Sequence, residues 1–237
     1  MIELKNVAVR TRKTINPVSL TGINVRIEDR ERFALLAPSN GTLNLAVAVV
    51  CKSNAPDAGR VIQTSSLSWP IPSSAFLHKH QTFVANARFV ARLYGVDQTS
   101  YIDRVVDMAR ITDLAEERIS HCPKKAVSRF AFALGACLPF DFYLLTNTSI
   151  GEKEERETYA EMIAELGRRS GLIVATSNPK SAKSLCDRAL VLDPAGSVTY
   201  DDMDAAVEHL ERISKRVDES SDDMLAEEEE RVFEDFF

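Results

Sequence analysis

The sequence lacks a long apolar run. Its longest nearly uncharged stretch, Phe130 to Leu145, is interrupted by Pro139 and Asp141. A membrane-spanning helix needs about 18 or more uninterrupted apolar residues, so none is expected. The opening Met1-Ile2-Glu3-Leu4-Lys5 has no basic segment ahead of an apolar one, and nothing in it suggests secretion. The expectation is a soluble cytosolic protein. Cysteine is scarce too: Cys51, Cys122, Cys137 and Cys186 are 71, 15 and 49 residues apart, with no Cys-x-x-Cys pair and no histidine at ligand spacing. His78 and His80 have strand-like spacing but no third ligand, so no metal site is expected. A concentrated basic face is also missing, which argues against a nucleic-acid partner.

What is present is an ordinary globular balance. Hydrophobic residues make up 45% and charged residues 27% of the 237 positions. That excludes a disordered or fibrous chain, and the length can bury a core without disulfides or metals. The net charge of −6 is uneven: residues 218–237 hold ten acids and one base, Arg231, while residues 1–217 hold 28 bases against 25 acids. The tail is therefore −9 and the body +3. The tail reads as a solvated, mobile segment, or as a docking peptide, with Val232, Phe233, Phe236 and Phe237 set among its acids.

Periodicity supplies the elements. Ile2–Val9 and Val18–Ile27 alternate like antiparallel or edge strands, and Phe33–Leu36 reads as a strand buried on both faces. A turn-rich loop, Ala37-Pro38-Ser39-Asn40-Gly41-Thr42, leads into a helix predicted over Leu43–Lys52, followed by a strand within Val61–Leu67. Phe83, Ala87, Val90, Ala91 and Tyr94 recur at helical spacing and stop at Gly95. Helices follow at 101–109 and 124–138. Strands at 142–145, 172–175, 189–192 and 198–200 then alternate with helices at 154–169, 179–185 and 203–216. Strands separated by helices imply a mainly parallel sheet covered on both faces, here with a helical subdomain inserted near 83–135.

The strand-loop-helix at 33–52 has the layout of a phosphate-binding loop. At this point the order of several stretches resembles the ATP-binding subunits of ABC transporters, most of all those that export capsular polysaccharide. The stretches are Met1–Val7, Trp69-Pro70 followed by Asn86–Val96, Arg129–Leu134, Phe140–Leu145 and Cys186–Leu192. Together they cover about residues 1–210. The resemblance implies a P-loop NTPase fold with N-terminal antiparallel strands, a mainly parallel sheet and an inserted helical subdomain. It also implies one domain over 1–216 ahead of the acidic tail at 217–237.

Aligned residue by residue, the family's chemistry is missing. Its phosphate loop, Gly-x-x-Gly-x-Gly-Lys-Ser-Thr, falls on Ala37–Leu45, so that Leu43 replaces the lysine, Asn44 the Mg²⁺-binding serine and Thr42 a glycine. The adenine-stacking aromatic falls near Thr11, and the Q-loop glutamine near Phe76 or Leu77. The signature falls on Pro123–Val127, the terminal Asp-Glu of Walker B on Thr146-Asn147, and the switch histidine on Ser177. Phosphoryl transfer is almost wholly positioning and charge stabilisation, so these losses remove its main terms. Ser39, Asn40, Gly41, Thr42 and Asn44 keep the makings of an anion-binding turn, with an ordinary strand-to-helix loop as the plainer reading. Lys52, Lys124 and Lys125 are candidate stand-ins for the lysine, more simply read as surface residues. Asn147 cannot act as a base, and Glu152 follows the family's D-loop position, where an acid also suits the start of a helix.

The expectation is a degenerate ABC ATP-binding subunit without catalytic residues and without bound ATP or Mg²⁺. It would be cytoplasmic or peripheral on the inner face of the membrane, partnered by an exporter's permease or by a second ATP-binding subunit as a homo- or heterodimer. The alternatives are a divergent but active ATPase, and a soluble regulatory scaffold without a permease. In the family the side of the helical subdomain near Trp69–Val96 receives the permease, so Phe89, Val90, Leu93 and Tyr94 are either a docking surface or subdomain core.

Overall fold

A computed structural model describes residues 1–11, 18–146, 155–193 and 195–216. Asn147, Glu152 and the acidic tail lie outside the described residues. The elements run β1 (Ile2–Arg10), β2 (Ser19–Ile27), β3 (Arg32–Leu36), α1 (Asn40–Val50), β4 (Ala58–Gln63), α2 (Phe83–Tyr94), α3 (Gln98–Ala109), α4 (Lys124–Ala136), β5 (Phe142–Thr146), α5 (Arg156–Arg169), β6 (Gly171–Thr176), α6 (Pro179–Leu185), β7 (Arg188–Val191) and β8 (Val198–Tyr200). Residues 203–216 form a further helix, α7. The strands make a three-stranded sheet, β2-β1-β4, and a five-stranded sheet, β5-β6-β3-β7-β8. The chain folds as two compact units that interleave in sequence.

The first unit takes residues 1–3, 26–33 and 62–175. Its β5 and β6 pair in parallel, from Phe142 against Gly171 to Thr146 against Ala175. Both strands are continuous apolar runs, as burial on two faces requires. The sequence places a strand within Val61–Leu67, and β4 holds its first residues but ends at Gln63. Beyond it only single bridges, at Leu67 and Ile71, meet β5. Pro70 and Pro72 flank Ile71 and bring no N–H, so a continuous ladder cannot form there.

Helices α2, α3 and α4 pack on one another. Phe83 meets Phe130 edge-on with ring centroids 4.8 Å apart, and the Tyr101 hydroxyl donates to the Leu134 carbonyl. Burial pushes that phenol's pKa far above its ordinary range, so it stays a neutral donor. The starts of α2 and α3 are capped by side chains: Thr82 accepts from the Ala85 N–H, and Asp97 from the Ser100 N–H. The Asp97 cap starts α3 at Gln98, three residues before the apolar pattern at Tyr101 begins. Gly95 ends α2 at φ 66°, where a glycine carries no Cβ penalty. Arg129 of α4 joins three elements. Its guanidinium donates to the carbonyls of Ala109 and Arg110 and to the Glu155 carboxylate, 2.9 Å away at the start of α5.

The second unit takes residues 4–25, 34–61 and those from 176 onward. The buried positions of β1 switch phase, from Ile2 and Leu4 to Val7 and Val9. The switch falls at Asn6, whose φ of 50° inserts one residue into the alternation. The Asn6 N–H donates to the Asn24 side chain of β2, and Gly59 of β4 lies against the same bulge. Strands β7 and β8 pair antiparallel, from Ala189 against Tyr200 to Val191 against Val198.

A buried polar cluster binds α7 to this unit. The Asp193 carboxylate accepts from Arg216 at 2.8 Å and from the Ala195 N–H at 2.9 Å, and lies 3.5 Å from the His209 ring. The other His209 nitrogen meets the Tyr200 hydroxyl. Burial opposes ionisation of Asp193, but the Ala195 N–H and Arg216 outweigh it and hold its carboxyl below the usual range. In the relevant pH window the unfolded state therefore binds more protons than the folded one. This contribution to stability is complete above about pH 4, the ordinary carboxylate value, and is lost as pH falls through the lower folded value. Thermal melts across pH 2 to 6 are expected to show a shallower acid limb for Asp193→Asn than for the unsubstituted chain.

Among the described residues, no helix is long and apolar enough to cross a membrane, and no cluster of His, Cys, Asp and Glu is able to hold a metal ion.

Candidate functional site

The loop between β3 and α1 is where the sequence resemblance puts a phosphate-binding loop. Sequence periodicity starts the helix at Leu43; it starts at Asn40 instead. Ser39 supplies the reason. Its backbone is extended, at φ −125° and ψ 147°, and its Oγ accepts from the Thr42 N–H at 3.2 Å. The two hydroxyls, Ser39 Oγ and Thr42 Oγ1, lie 2.9 Å apart, and the Leu43 N–H donates to the Ser39 carbonyl. This is an N-cap followed at once by a regular helix, and it leaves only Ala37–Ser39 between strand and helix.

The geometry limits what the loop offers an anion. Thr42 and Leu43 have both committed their N–H groups to Ser39, so the helix presents its first amides from Asn40 and Gly41 alone. Gly41 is exposed, and a Cβ placed there would meet only ordinary contacts, at 3.5 Å from Val18 and 3.8 Å from Ser39. Leu43 is 6% exposed and packs inward, while Asn40 and Asn44 face solvent. Lys52 follows the far end of α1, whose 11 residues span about 16 Å, beyond the reach of its side chain to Ser39.

Other positions of the same unit have local structural partners. Thr11 lies next to β1, donates its N–H to the Val18 carbonyl and accepts the Val18 N–H on its hydroxyl. Ser177 is exposed just after β6, one residue before Asn178, whose side chain caps α6 ahead of Pro179.

In the first unit Thr146 ends β5 and gives its N–H to the Ile71 carbonyl. Pro123 stands at the start of α4 without a side-chain cap, and Lys124 and Lys125 are exposed in its first turn. Leu77 is buried. Phe76 is exposed, with its ring edge-on to Trp69 at 5.3 Å.

The face near Trp69 separates residues that the sequence groups together. Val90 is core, at the centre of the buried stripe of α2. Phe89 and Leu93 are 60% and 68% exposed, one turn apart on the opposite side, and Tyr94 is exposed beside them. Trp69 holds this face together: its ring stands 5.6 Å from Tyr94 and 6.0 Å from Phe140. Phe140 in turn meets Tyr94 and Tyr143 edge-on. Sequence reasoning missed the part played by Phe140, because its contacts are to residues 46 and 71 positions away. It also missed Asn86, buried and bonded to the backbone of His78 and Thr82, which ties the chain before α2 onto that helix.

No model of a known protein family matches the chain. Among curated proteins it is similar to the ATP-binding protein BexA of Haemophilus influenzae, 26% identical over 198 residues covering 83% of this chain and 91% of that one. It is similar also to the capsule polysaccharide export ATP-binding protein CtrD of Neisseria meningitidis, at 24% over 88% of this chain and 98% of that one. A third relative is the polysialic acid transport ATP-binding protein KpsT of Escherichia coli, at 22% over 75% and 81%. Among solved structures, an ATP-binding subunit of an ABC transporter superposes with a TM-score of 0.73 at 16% identity, covering 89% of this chain and 99% of that one. A dimeric ATP-binding cassette in a post-hydrolysis state, bound to ADP and phosphate, gives 0.71 at 14% identity over 84% and 98%.

Proposed function

We propose that this chain, which has the fold of the ABC ATP-binding cassettes and capsule-export ATP-binding proteins among its relatives, is a non-hydrolysing cassette subunit of a polysaccharide exporter. One observation carries the reading. At the position of the phosphate-binding lysine stands a buried Leu43, in a helix that has already closed over the loop through Ser39 and Thr42. The residues there do not fit a triphosphate. An apolar side chain replaces the ammonium, and two of the amides that would cradle phosphate oxygens are spent on the cap. Thr146 offers a neutral hydroxyl where the family has a metal carboxylate, and Ser177 replaces the switch histidine. Losses at every position leave no group to position a nucleophile or to neutralise developing charge.

The role left to such a subunit is structural or regulatory, in the cytoplasm against the inner face of the membrane. The exposed Phe89, Leu93 and Tyr94 around Trp69 support a retained docking surface for a permease, because large apolar groups gathered into one exposed patch mark contact sites. The partner in the nucleotide-site dimer is either a second copy or an active ATP-binding subunit.

Titration calorimetry with MgATP, with turnover measured alongside, tests the reading. The purified chain is expected to give no saturable heat at millimolar nucleotide and no Mg²⁺-dependent phosphate release. Micromolar binding with hydrolysis would establish an active ATPase. Sedimentation with membranes checks the partner: a permease-bound subunit pellets with them, and a soluble scaffold stays in the supernatant.

A further inference from the structure

We propose that the groove between α3 and α5 binds a small phosphorylated polyol, of the size of a hexose phosphate, through Arg104 and Arg168 at its phosphate and Asp107 and Glu165 at its hydroxyls. Every residue lining the groove belongs to the first unit. The cavity holds about 420 Å³, within the roughly 300–1,000 Å³ of small-molecule sites. Helical spacing builds its walls. Arg104 and Asp107 are exposed one turn apart on α3, and Glu165 and Arg168 one turn apart on α5. The floor is apolar. It consists of Met108, the buried Met162, and Cys137 just after α4, whose sulfur lies 3.8 Å from that of Met108. Burial pushes the Cys137 thiol up to about 12, so the floor carries no charge of its own.

The charged groups around the floor fall into two sets, and one is already satisfied. Arg110 is bonded to Glu161 and to the Thr158 hydroxyl. Arg169 donates to the Ala136 carbonyl, with its guanidinium 5.8 Å over the Tyr143 ring. The other set is open. Arg104 spends only its Nε, on the Ser100 carbonyl, and neither it nor Asp107, Glu165 or Arg168 has an ion-pair partner among the described residues. Each wall thus offers one guanidinium and one carboxylate to an occupant. Guanidinium groups hold phosphate through charge-assisted, often bidentate bonds. Carboxylates only accept, so they take hydroxyl donors and repel a second anionic group. The pair of chemistries selects one phosphate on a hydroxyl-rich frame and rejects di- and triphosphates. Thioethers suit the C–H face of a saturated ring. Among the described lining residues there is no aromatic ring, so a nucleobase finds no stacking partner. At the floor, Arg104 and Arg169 favour negative charge more than Glu165 and Asp107 oppose it. None of these residues belongs to the loop between β3 and α1, so the groove is independent of the nucleotide reading above.

Methionine methyl groups read this site directly. Met108 and Met162 line the groove, and Met1, in the same unit but not among the lining residues, is the reference. NMR spectra of the full chain with isotope-labelled methionine methyls are expected to show saturable shifts at Met108 and Met162, and none at Met1, as glucose 1-phosphate is added. The Kd should be roughly millimolar, as befits a small ligand in an open site. Inorganic phosphate should bind about tenfold more weakly, lacking the hydroxyl contacts, and AMP no better than phosphate. Arg104→Gln with Arg168→Gln should weaken glucose 1-phosphate at least about tenfold. Asp107→Ala with Glu165→Ala should act oppositely on the two ligands, tightening phosphate while removing the advantage of the sugar. All four side chains are exposed, so melting temperatures should hold. The ranking of ligands on the unsubstituted chain stands whether or not a variant folds. Absence of any shift at Met108 and Met162 at tens of millimolar would overturn the proposal. So would equal binding of phosphate and glucose 1-phosphate, which marks a merely basic surface, or tighter binding of AMP, which marks a nucleotide site.

Discussion

Leu43→Lys, Asn44→Ser, Thr146→Asp and Asn147→Glu, introduced together, are expected to raise affinity for MgATP about a hundredfold or more over the unsubstituted chain. One unit charge about 4 Å from a phosphate, at an effective dielectric of 20, is worth on the order of 4 kcal/mol. The cost is smaller. Opening the first turn of α1 to free the Thr42 and Leu43 amides forfeits a Ser39 cap worth about 1 kcal/mol. A lysine at the buried Leu43 position keeps its methylene stem in contact with apolar neighbours while its ammonium reaches outward. The balance, about 3 kcal/mol, corresponds to roughly two powers of ten in Kd. Asp at 146 and Glu at 147 return the metal carboxylate and the water-orienting acid, so hydrolysis above background is expected only when both are present. Calorimetry on the quadruple variant decides the matter, and an unchanged affinity would falsify the residue-by-residue alignment of the site.

Gly59→Ala is expected to be the most destabilising single substitution of a small residue, at about 4 kcal/mol. Gly59 has φ 78°, where a Cβ costs about 1–2 kcal/mol. That Cβ would also stand 2.2 Å from the Asn6 carbonyl oxygen and 2.4 Å from that of Lys5. Both atoms are backbone of the β1 bulge, so relief requires strand movement rather than a rotamer change, adding about 1–3 kcal/mol. Gly22 provides the control. Its φ is 64°, but nothing lies within 4 Å of its Cβ direction, and Gly22→Ala should cost only about 1 kcal/mol. Urea titrations of the two variants separate these contributions; equal losses would mean that the close approach of β4 to β1 carries no weight.

The fold was legible where one physical rule dominates. Phe33–Leu36, Phe142–Leu145 and Leu172–Ala175 are short apolar runs without alternation, and all three are buried strands, β3 and β6 inside the five-stranded sheet and β5 at its end. Gly95 stops α2 because it alone among nearby residues takes a left-handed conformation without strain. Legibility failed where a single side chain competes with periodicity. The apolar pattern of α1 begins at Leu43, yet a serine hydroxyl three residues before Thr42 starts the helix early. The pattern Ser-x-x-Thr was in the sequence, but it reads equally well as the polar part of a phosphate loop. The strand expected within Val61–Leu67 is present only in its first residues, because β4 follows β1 and ends at Gln63, after which the chain meets β5, more than 70 residues away, only through single bridges. The face near Trp69 needed three dimensions. Phe89 and Val90 are neighbours in sequence and equally apolar, and only the packing of α2 against α3 and α4 decides which is buried.

Arg129 has a mechanical corollary. Its guanidinium is bonded at once to the last carbonyls of α3 and to Glu155, the residue that leads into α5. Any tilt of α4, which begins at Lys124 and Lys125, must therefore drag that carboxylate along or break a charge-assisted bond. A pull exerted at the start of α4 would be felt first at Glu155, where α5 begins.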